Sequence, residues 1–387
     1  MKKSYSKKCI LTNIILCLLI VLSSNVVKAE ETHDGQEVYT SVLTTNGTEE
    51  KDTGNLSYAQ YVTNEMNNAE YWKNHSTDAN QVLMSTAEIK TLNKKIINTE
   101  GTDTYDITKI NETKTQAERA KELASAEIPT RDLYINGQKI NNETYFSKLK
   151  KAILETGYNS NSKIQYYAVA VKRADVKSWP INDIIGYTVD DADDEMQETV
   201  LNVNEPFVIR AKCTVDGENF YWGYSSTYSG WVNADKLAIC DSKETWIEAW
   251  QVDIDAKNFL VVTQDKITLE PSLYIPETSE IKLMLGTTLK LVPENEIPET
   301  IGERGAYNNY VVYLPTRDEN GNYVKQYALI SEHYNVSIGY LPMTQSNILD
   351  VAFTCLGNRY GWGGMLGAMD CSLYTKSIYE CFGLHLP

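Results

Sequence analysis

The spacing of apolar residues changes along the chain from a helical period to an alternating one. Residues 58–128 carry apolar side chains at near-helical intervals, which predicts helices. The positions that show this period best are Val82, Leu83, Ile89, Leu92, Ile96 and Ile97. Ser85 and Glu88 form a capping-box pattern, in which each side chain satisfies the other residue's backbone N–H. Pro129 is expected to end the last of these helices, within a mainly helical segment over residues 58–162.

Residues 163–250 instead alternate apolar and polar side chains, which is typical of half-buried strands. Residues 207–215 predict one strand, Asp216-Gly217 a tight turn and residues 220–224 the returning strand. Residues 251–342 contain further strand candidates, so two successive small β-barrels are the simplest account. Five of the seven tryptophans fall in the first of these regions, at positions 179, 222, 231, 246 and 250. They fit a hydrophobic core and a binding groove equally well.

The N-terminus has the features of a secretory signal. Lysines at positions 2, 3, 7 and 8 precede a mostly apolar stretch over residues 9–22, and Val27-Lys28-Ala29 fits the small-residue cleavage pattern. The apolar stretch is shorter than the roughly 20 residues that span a bilayer, which disfavours a retained anchor. We expect removal of residues 1–29, a flexible polar lead-in over residues 30–57, and an exported mature protein without a membrane span.

Charge and composition narrow the classes of partner. The formal net charge is −16, and phosphate binding needs clustered Lys and Arg, so nucleic acid is excluded as a partner and anionic membranes are disfavoured. The 26 tyrosines suit sugars or peptides better. The chain has neither a Cys-x-x-Cys motif nor paired histidines, so no metal or other cofactor is expected. The acidic run over residues 190–195 lacks the spacing of an EF-hand loop and predicts a solvated loop.

The candidate chemistry lies near the C-terminus. Residues 347–356 predict an amphipathic helix, residues 357–367 contain five glycines, and a helical pattern runs from Cys371 to about Gly383. The backbone N–H groups and dipole at a helix N-terminus stabilise a thiolate, although the adjacent Asp370 acts in the opposite direction. We therefore favour Cys371 as a nucleophile over its being a buried small hydrophobe.

Three segments of this region resemble the start of an NlpC-type cysteine peptidase domain. They are Arg359–Gly364, Asp370–Ser372 and Phe382–Pro387. The resemblance implies a papain-like fold and cleavage of bacterial cell-wall stem peptides, typically between γ-D-glutamate and a diamino acid. It also implies that Cys371 is the nucleophile and that the free amino end of the substrate is held by Tyr360, Asp370 and Ser372. Helix capping is a further role open to Asp370.

Two upstream segments resemble other parts of such enzymes. Thr130–Tyr134 is similar to the family's N-terminal stabilising segment, and Arg173–Pro180 to the opening of its first bacterial SH3-like domain. The expected fold class is multidomain, with a helical N-terminal segment, two all-β SH3-like barrels and the N-terminal part of an α+β papain-like peptidase domain. The corresponding boundaries are 58–162, 163–250, 251–342 and 343–387.

The catalytic histidine implied by the resemblance has no counterpart in this sequence. The family supplies it from a strand well downstream of the cysteine helix. His385 would leave the opposite end of a helix about 16 Å long, and the other histidines are His33, His75 and His333. We therefore expect a peptidase domain that is incomplete and inactive alone, with residues 347–387 only partly covered by the second barrel. The alternatives are a non-catalytic cell-wall-binding protein with a vestigial peptidase segment and, more weakly, a secreted acidic adhesin.

Overall fold

The fold combines seven α-helices with many small antiparallel sheets in the part of the chain that the structure describes. This computed structural model describes residues 61–99, 101, 104–157 and 160–387. The sequence predictions for residues 1–57, together with His33, lie outside them. Residues from Tyr61 to Pro387 form one compact unit. Across the described ranges, no helix has the length and apolar character that a membrane crossing requires.

The helices follow local sequence signals in most places. Their bounds are α1 (Ala69–Asn74), α2 (Thr86–Asn98), α3 (Gln116–Ala124), α4 (Asn142–Gly157), α5 (Lys243–Trp250), α6 (Gln345–Phe353) and α7 (Cys371–Glu380). The predicted capping box is confirmed, because Ser85 accepts the backbone N–H of Glu88 and the Glu88 carboxylate accepts that of Ser85. The helical assignment of Val82 and Leu83 is wrong. Both lie in a strand that pairs with residues 343–344, a partner that local periodicity does not reveal.

The first β-rich region contains a seven-stranded antiparallel sheet. Its order is β11-β4-β8-β9-β10-β5-β7. The strands up to this point of the chain are β1 (Val82–Met84), β2 (Tyr134–Ile135), β3 (Gln138–Lys139), β4 (Tyr166–Ala170), β5 (Ala174–Lys177), β6 (Ile185–Gly186), β7 (Gln197–Leu201), β8 (Pro206–Val215), β9 (Glu218–Tyr224), β10 (Ser229–Asn233) and β11 (Leu237–Cys240). The predicted turn joins β8 to β9, with φ of 53° at Asp216 and 88° at Gly217. These left-handed angles match a type I′ turn.

The second β-rich region is built from shorter sheets around one long hairpin. Its strands are β12 (Phe259–Val262), β13 (Lys266–Thr268), β14 (Lys282–Met284), β15 (Thr288–Lys290), β16 (Thr300–Ile301), β17 (Arg304–Gly305), β18 (Asn309–Arg317), β19 (Tyr323–Ser331), β20 (Val336–Ile338) and β21 (Met343–Thr344). The hairpin pairs β18 with β19, and β12 lies between β15 and β20. Buried Leu260, Leu289 and Val312 lie in one hydrophobic cluster of this region.

The tryptophans of the first region serve mainly as core. Trp179, Trp231 and Trp246 are buried, which favours the core interpretation over a groove for these three. Trp246 and Trp250 lie on α5, so the prediction that the region is entirely β is wrong at its end. Their spacing of four residues puts both on one helix face. The Trp246 indole N–H donates to the carbonyl of Ala168 at 2.9 Å, which attaches this face to β4.

The acidic run over residues 190–195 is only in part the solvated loop that the sequence predicts, because Asp190 and Ala192 are exposed but Asp194 is not. Asp194 is buried and pairs with the equally buried Lys177, with 2.7 Å between Nζ and Oδ2. Its other carboxylate oxygen accepts the backbone N–H groups of Ile185 and Met196. Asp191 accepts the N–H of Tyr187 at 2.6 Å. The run therefore organises the polypeptide ahead of β7, a role that sequence proximity of acidic residues does not reveal.

Residues 345–387 are covered more completely than expected. Buried side chains in and after α7 include Ile378, Tyr379, Cys381, Phe382, Leu384 and Leu386. The second region contributes a main-chain bond from Leu341 N–H to the carbonyl of Cys381. Asn93 of α2 donates to the carbonyl of Gly383 at 2.8 Å and accepts the N–H of His385 at 3.0 Å. The expectation of partial cover is corrected because it counted only the second barrel and omitted α2.

Candidate active site

Cys371 is the first residue of α7, and its side chain is exposed. The other four cysteines in the described residues are buried. Burial raises the pKa of Cys213 and of Cys240 to about 12 and that of Cys355 to about 11, so these thiols stay protonated near neutral pH. Cys371 instead lies in the first turn of a ten-residue helix, where backbone N–H groups lack helical partners. Its position and exposure fit a nucleophile.

Asp370 caps the helix that Cys371 begins. One carboxylate oxygen accepts the backbone N–H of Leu373 and the hydroxyl of Ser372, each at 2.8 Å. The second oxygen accepts the backbone N–H of Gly363 at 3.0 Å. The capping role left open by the sequence is therefore present. The same side chain also connects the glycine-rich loop, which comprises residues 357–367, to the start of α7.

The glycine-rich loop needs its glycines for two separate reasons. Gly363, Gly364 and Gly367 have φ of 55°, 84° and 76°, a left-handed conformation that glycine adopts without penalty. At Gly364 an added Cβ would also lie 2.7 Å from Leu373 Cδ2 and 2.8 Å from Arg173 Nη2, whereas at Gly367 it would meet nothing within 4 Å. The loop is thus wedged between α7 and the first β-rich region at Gly364 and open at Gly367.

Tyr360 lies at the other end of this loop. Its backbone pairs with Met369, which sets it next to the start of α7. Its side chain is exposed, and partial burial together with the negative charges of Cys371 and Asp370 raises the pKa of its phenol. Tyr360, Asp370, Cys371 and Ser372 are therefore brought together by one loop and one helix terminus. The four residues singled out by the sequence lie close together.

Two residues at this site were missed by the sequence analysis as contributors. Arg173 precedes β5, and its Nη2 donates to the carbonyls of Gly364 at 2.9 Å and Ala368 at 2.8 Å. Gln197 opens β7 and donates to the carbonyl of Gly363 at 3.3 Å. Arg173 is part of a segment that carries the family resemblance. Its contact with the loop spans more than 190 residues, so nothing local in the sequence indicates it.

The histidines of the described residues have other neighbours. The ring Nδ1 of His75 lies 2.7 Å from the carbonyl of Tyr71, His333 lies between β19 and β20, and His385 follows α7 and bonds Asn93. Over the described residues, no hydrogen bond joins a histidine to Cys371. Across the same ranges, no cluster of three or more His, Cys, Asp and Glu side chains is arranged to hold a metal ion.

A comparison with solved structures finds a similar fold. No protein-family profile matches the chain, and no curated protein matches it. A structure described as a novel NlpC/P60 endopeptidase from Photobacterium damselae subsp. piscicida aligns with a TM-score of 0.59. The alignment covers 83% of this chain and 67% of that chain, at 18% sequence identity. Similarity at this identity concerns the fold, and we conclude that the chain has the α+β fold of an NlpC/P60 endopeptidase.

Proposed function

We propose that this protein is an exported peptidoglycan hydrolase in which the thiolate of Cys371 attacks cell-wall stem peptides. The observation that carries the proposal is the exposed thiol at the first position of α7, beside a carboxylate that joins the helix to the glycine-rich loop. The bond we infer is the one between γ-D-glutamate and the diamino acid. The fold shared with an NlpC/P60 endopeptidase supports this reaction class.

The surroundings of Cys371 suit a substrate with a free amino end. An ammonium group has three N–H donors, and the site offers three oxygens: the second carboxylate oxygen of Asp370, the hydroxyl of Ser372 and the phenol of Tyr360. Ser372 donates its proton to Asp370, which leaves its lone pairs for an incoming donor. Asp370 Oδ2 accepts one N–H from Gly363 and has a second lone pair. Charge-assisted bonds of this kind are about twice as strong as neutral ones.

The reaction follows from thiolate chemistry. The Cys371 sulfur forms a bond to the scissile carbonyl carbon, the C–N bond to the diamino acid breaks, and the leaving amine takes up a proton. Water then hydrolyses the thioester and restores the thiol. The N-terminal dipole of α7 favours the thiolate that starts this sequence.

Covalent capture tests the proposal without depending on a catalytic base. The probe is L-alanyl-γ-D-glutamate in which a chloromethyl ketone replaces the scissile amide, so that thiolate attack forms a C–S bond and releases chloride. We expect saturable labelling of Cys371, located by mass spectrometry. The N-acetylated probe lacks the ammonium and should label about tenfold more slowly. Labelling that is not saturable, or that is equal for the two probes, would overturn the proposal.

A second candidate function is non-catalytic binding of the cell wall, and one observation favours it. A cavity of about 250 Å³ lies in the second β-rich region, lined in part by Glu303, Arg304, Tyr327 and Tyr334. Aromatic rings beside charged groups are typical of ligand sites. Pull-down of the Cys371→Ala protein with purified peptidoglycan distinguishes the two candidates. Binding that is abolished when Tyr327→Ala is added, together with no labelling of the unaltered protein by the chloromethyl ketone, would favour the binding protein.

The proposal also assigns the domains, the localisation and the partner of this protein. The two β-rich regions, residues 163–250 and 251–342, are proposed as SH3-like domains that follow a stabilising segment over residues 58–162. Residues 343–387 are proposed to belong to the peptidase domain. We propose secretion to the cell wall or the extracellular space, with peptidoglycan as the partner and neither nucleic acid nor a metal cofactor involved.

A further inference from the structure

The first β-rich region holds the glycine-rich loop through two polar side chains. Arg173 binds the carbonyls of Gly364 and Ala368 with one nitrogen, and Gln197 binds the carbonyl of Gly363. Two of these carbonyls belong to the left-handed residues Gly363 and Gly364, and the third belongs to Ala368, which follows the turn. The loop therefore has a fixed position relative to β5 and β7, which belong to a different part of the chain from α7.

Arg173 is in an unusual environment for a guanidinium. Burial lowers the pKa of Arg173, although the negative charges of Asp175, Glu205 and Asp265 act to raise it. Its Nη2 donates hydrogen bonds to main-chain carbonyls instead of to these carboxylates. Its Nε and Nη1 are buried without a partner. A guanidinium taken out of water normally forms bidentate bonds with a carboxylate. An arrangement that gives up this stabilisation is more easily explained by a role at the site than by a contribution to folding.

Packing leaves the loop little freedom at this contact. A Cβ at Gly364 would lie 2.8 Å from Arg173 Nη2 and 2.8 Å from Val200 Cγ2. Gln197 is buried and is itself held, because its amide nitrogen also lies 3.1 Å from the Asp175 carboxylate and 2.8 Å from the Thr199 carbonyl, so that three acceptors share its two hydrogens. Arg173 and Gln197 together form a clamp on the loop. One residue of this clamp precedes β5 and the other begins β7, so the clamp is attached to the sheet.

The clamp is connected to the groups that would bind substrate. The N–H of Gly363 donates to Asp370, and Asp370 in turn caps the helix that begins at Cys371. Tyr360 lies at the start of the same loop. A shift of Gly363 and Gly364 would therefore move the amine-binding oxygens relative to the thiol.

We infer that Arg173 and Gln197 are positioning residues for the proposed peptidase site. The inference rests on the proposed function, because it concerns how the substrate's amino end is placed against Cys371. Displacements of about 1 Å at reacting groups can lower rates about a hundredfold, so a clamp of this kind has a measurable effect.

The test compares two labelling rates at Cys371, one with the L-alanyl-γ-D-glutamyl chloromethyl ketone and one with iodoacetamide. The first reagent needs the peptide site, and the second needs only an exposed thiol. We expect Arg173→Met to lower the ratio of the two rates about tenfold and Arg173→Lys, which keeps a donor, to lower it less. If Arg173→Met fails to fold, Arg173→Lys and Gln197→Met carry the test.

The matched control is Lys177→Met. It removes a buried ion pair from the same sheet, next to Gln197 on the paired strand, but the Lys177 side chain forms no hydrogen bond with the loop. A merely structural role for Arg173 predicts equal ratios in the Arg173→Met and Lys177→Met proteins, and that result would overturn the inference. If the chloromethyl ketone labels no variant, the proposed function fails. In that case, hydrogen exchange of residues 361–370 tests separately whether Arg173 holds the loop. The clamp requires faster exchange in Arg173→Met than in Lys177→Met.

Discussion

The carboxylate of Asp370 accepts the backbone N–H of Gly363 at 3.0 Å while its other oxygen caps α7. One side chain therefore fixes both the loop and the helix start. Without Gly363 as a second partner, Asp370 would be an ordinary N-cap, exchangeable for asparagine. The double attachment explains how a loop with several left-handed residues keeps one conformation next to an exposed thiol.

Asparagine at position 370 separates the two attachments. Asp370→Asn keeps a capping oxygen but places an amide where Gly363 needs an acceptor, and we expect a loss of about 1–3 kcal/mol in the free energy of unfolding. Asp370→Ala removes the cap as well and should cost about 1 kcal/mol more. Urea denaturation measures both values. Wild-type stability of Asp370→Asn would show that the contact with Gly363 contributes nothing.

Alanine at two glycines distinguishes backbone strain from steric conflict. Gly364 and Gly367 both have left-handed φ, but only at Gly364 does an added Cβ meet Leu373 and Arg173. We expect Gly367→Ala to lower the free energy of unfolding by about 1 kcal/mol, because its only effect is to place an alanine at a left-handed backbone angle. Gly364→Ala should cost more and should also slow labelling of Cys371 by the peptide probe. Equal effects of the two substitutions would contradict the close packing at Gly364.

Thiol reactivity should identify Cys371 alone among the cysteines of the described residues. Cys371 is exposed to reagents, whereas burial shields Cys213, Cys240 and Cys355 and raises the pKa of each. We expect iodoacetamide to add one group to a protein that comprises residues 30–387, and none to its Cys371→Ser variant. Intact-mass measurement and peptide mapping check this. Comparable modification of Cys355 would show that its pocket opens readily.

The buried pair of Glu112 and Arg119 should make stability depend on pH. Burial alone would raise the pKa of Glu112, but the Lys114 N–H and the Arg119 guanidinium, 2.9 Å away, outweigh burial and lower it. Because the folded pKa is depressed, the stabilisation is present above the unfolded value of about 4.5 and is lost as pH falls through the folded pKa. Glu112→Gln should lower the free energy of unfolding by about 3 kcal/mol near neutral pH. It should also make the free energy of unfolding depend less on pH in the acid range.

The control for Glu112 is Glu122, which also contacts Arg119 but is about half exposed. Glu122→Gln should change the free energy of unfolding by less than about 1 kcal/mol, because an exposed pair is screened by solvent. Stability measured from neutral to acidic pH compares the two variants. If Glu122→Gln destabilises as much as Glu112→Gln, burial does not set the strength of this ion pair.

Hydrogen exchange tests the cover over α7 and the residues after it. The main-chain N–H groups of Cys381 and Phe382 bond the carbonyls of Ile378 and Tyr379, and both side chains are buried. We expect these amides to exchange as slowly as those of β8 and β9. Asn93→Ala removes both bonds to the chain after α7 and should accelerate exchange near Gly383. Rapid exchange over residues 371–384 in the unaltered protein would restore the expectation of partial cover.

The features that the sequence predicted correctly depend on neighbours in the chain. The capping box at Ser85, the tight turn at Asp216-Gly217 and the helix start at Cys371 each involve a few consecutive residues. The physical cause of each is local hydrogen bonding or a left-handed backbone angle, which residue type reveals directly. The four candidate site residues are close together for the same reason, since residues 360–372 form one loop and one helix terminus.

The features that the sequence missed depend on distant partners. Val82 lies in a strand because residues 343–344 pair with it, and Asp194 is buried because Lys177 neutralises it. Arg173 is adjacent to the glycine-rich loop only after the sheet has formed. Periodicity and charge runs carry no information about such pairings, because one sequence pattern is compatible with several partners.

The contact between Asn93 and His385 joins residues 292 positions apart, and it has a consequence for how the chain folds. Closing so long a loop costs only a few kcal/mol in entropy, because that cost grows with the logarithm of loop length. The folding rate is affected more than the stability, because native contacts between residues far apart in the sequence slow folding. Helix α2 gains these two hydrogen bonds only after residues 383–385 have been synthesised. Until then Asn93 lacks both of these bonds, so this part of the packing of α2 forms late in synthesis.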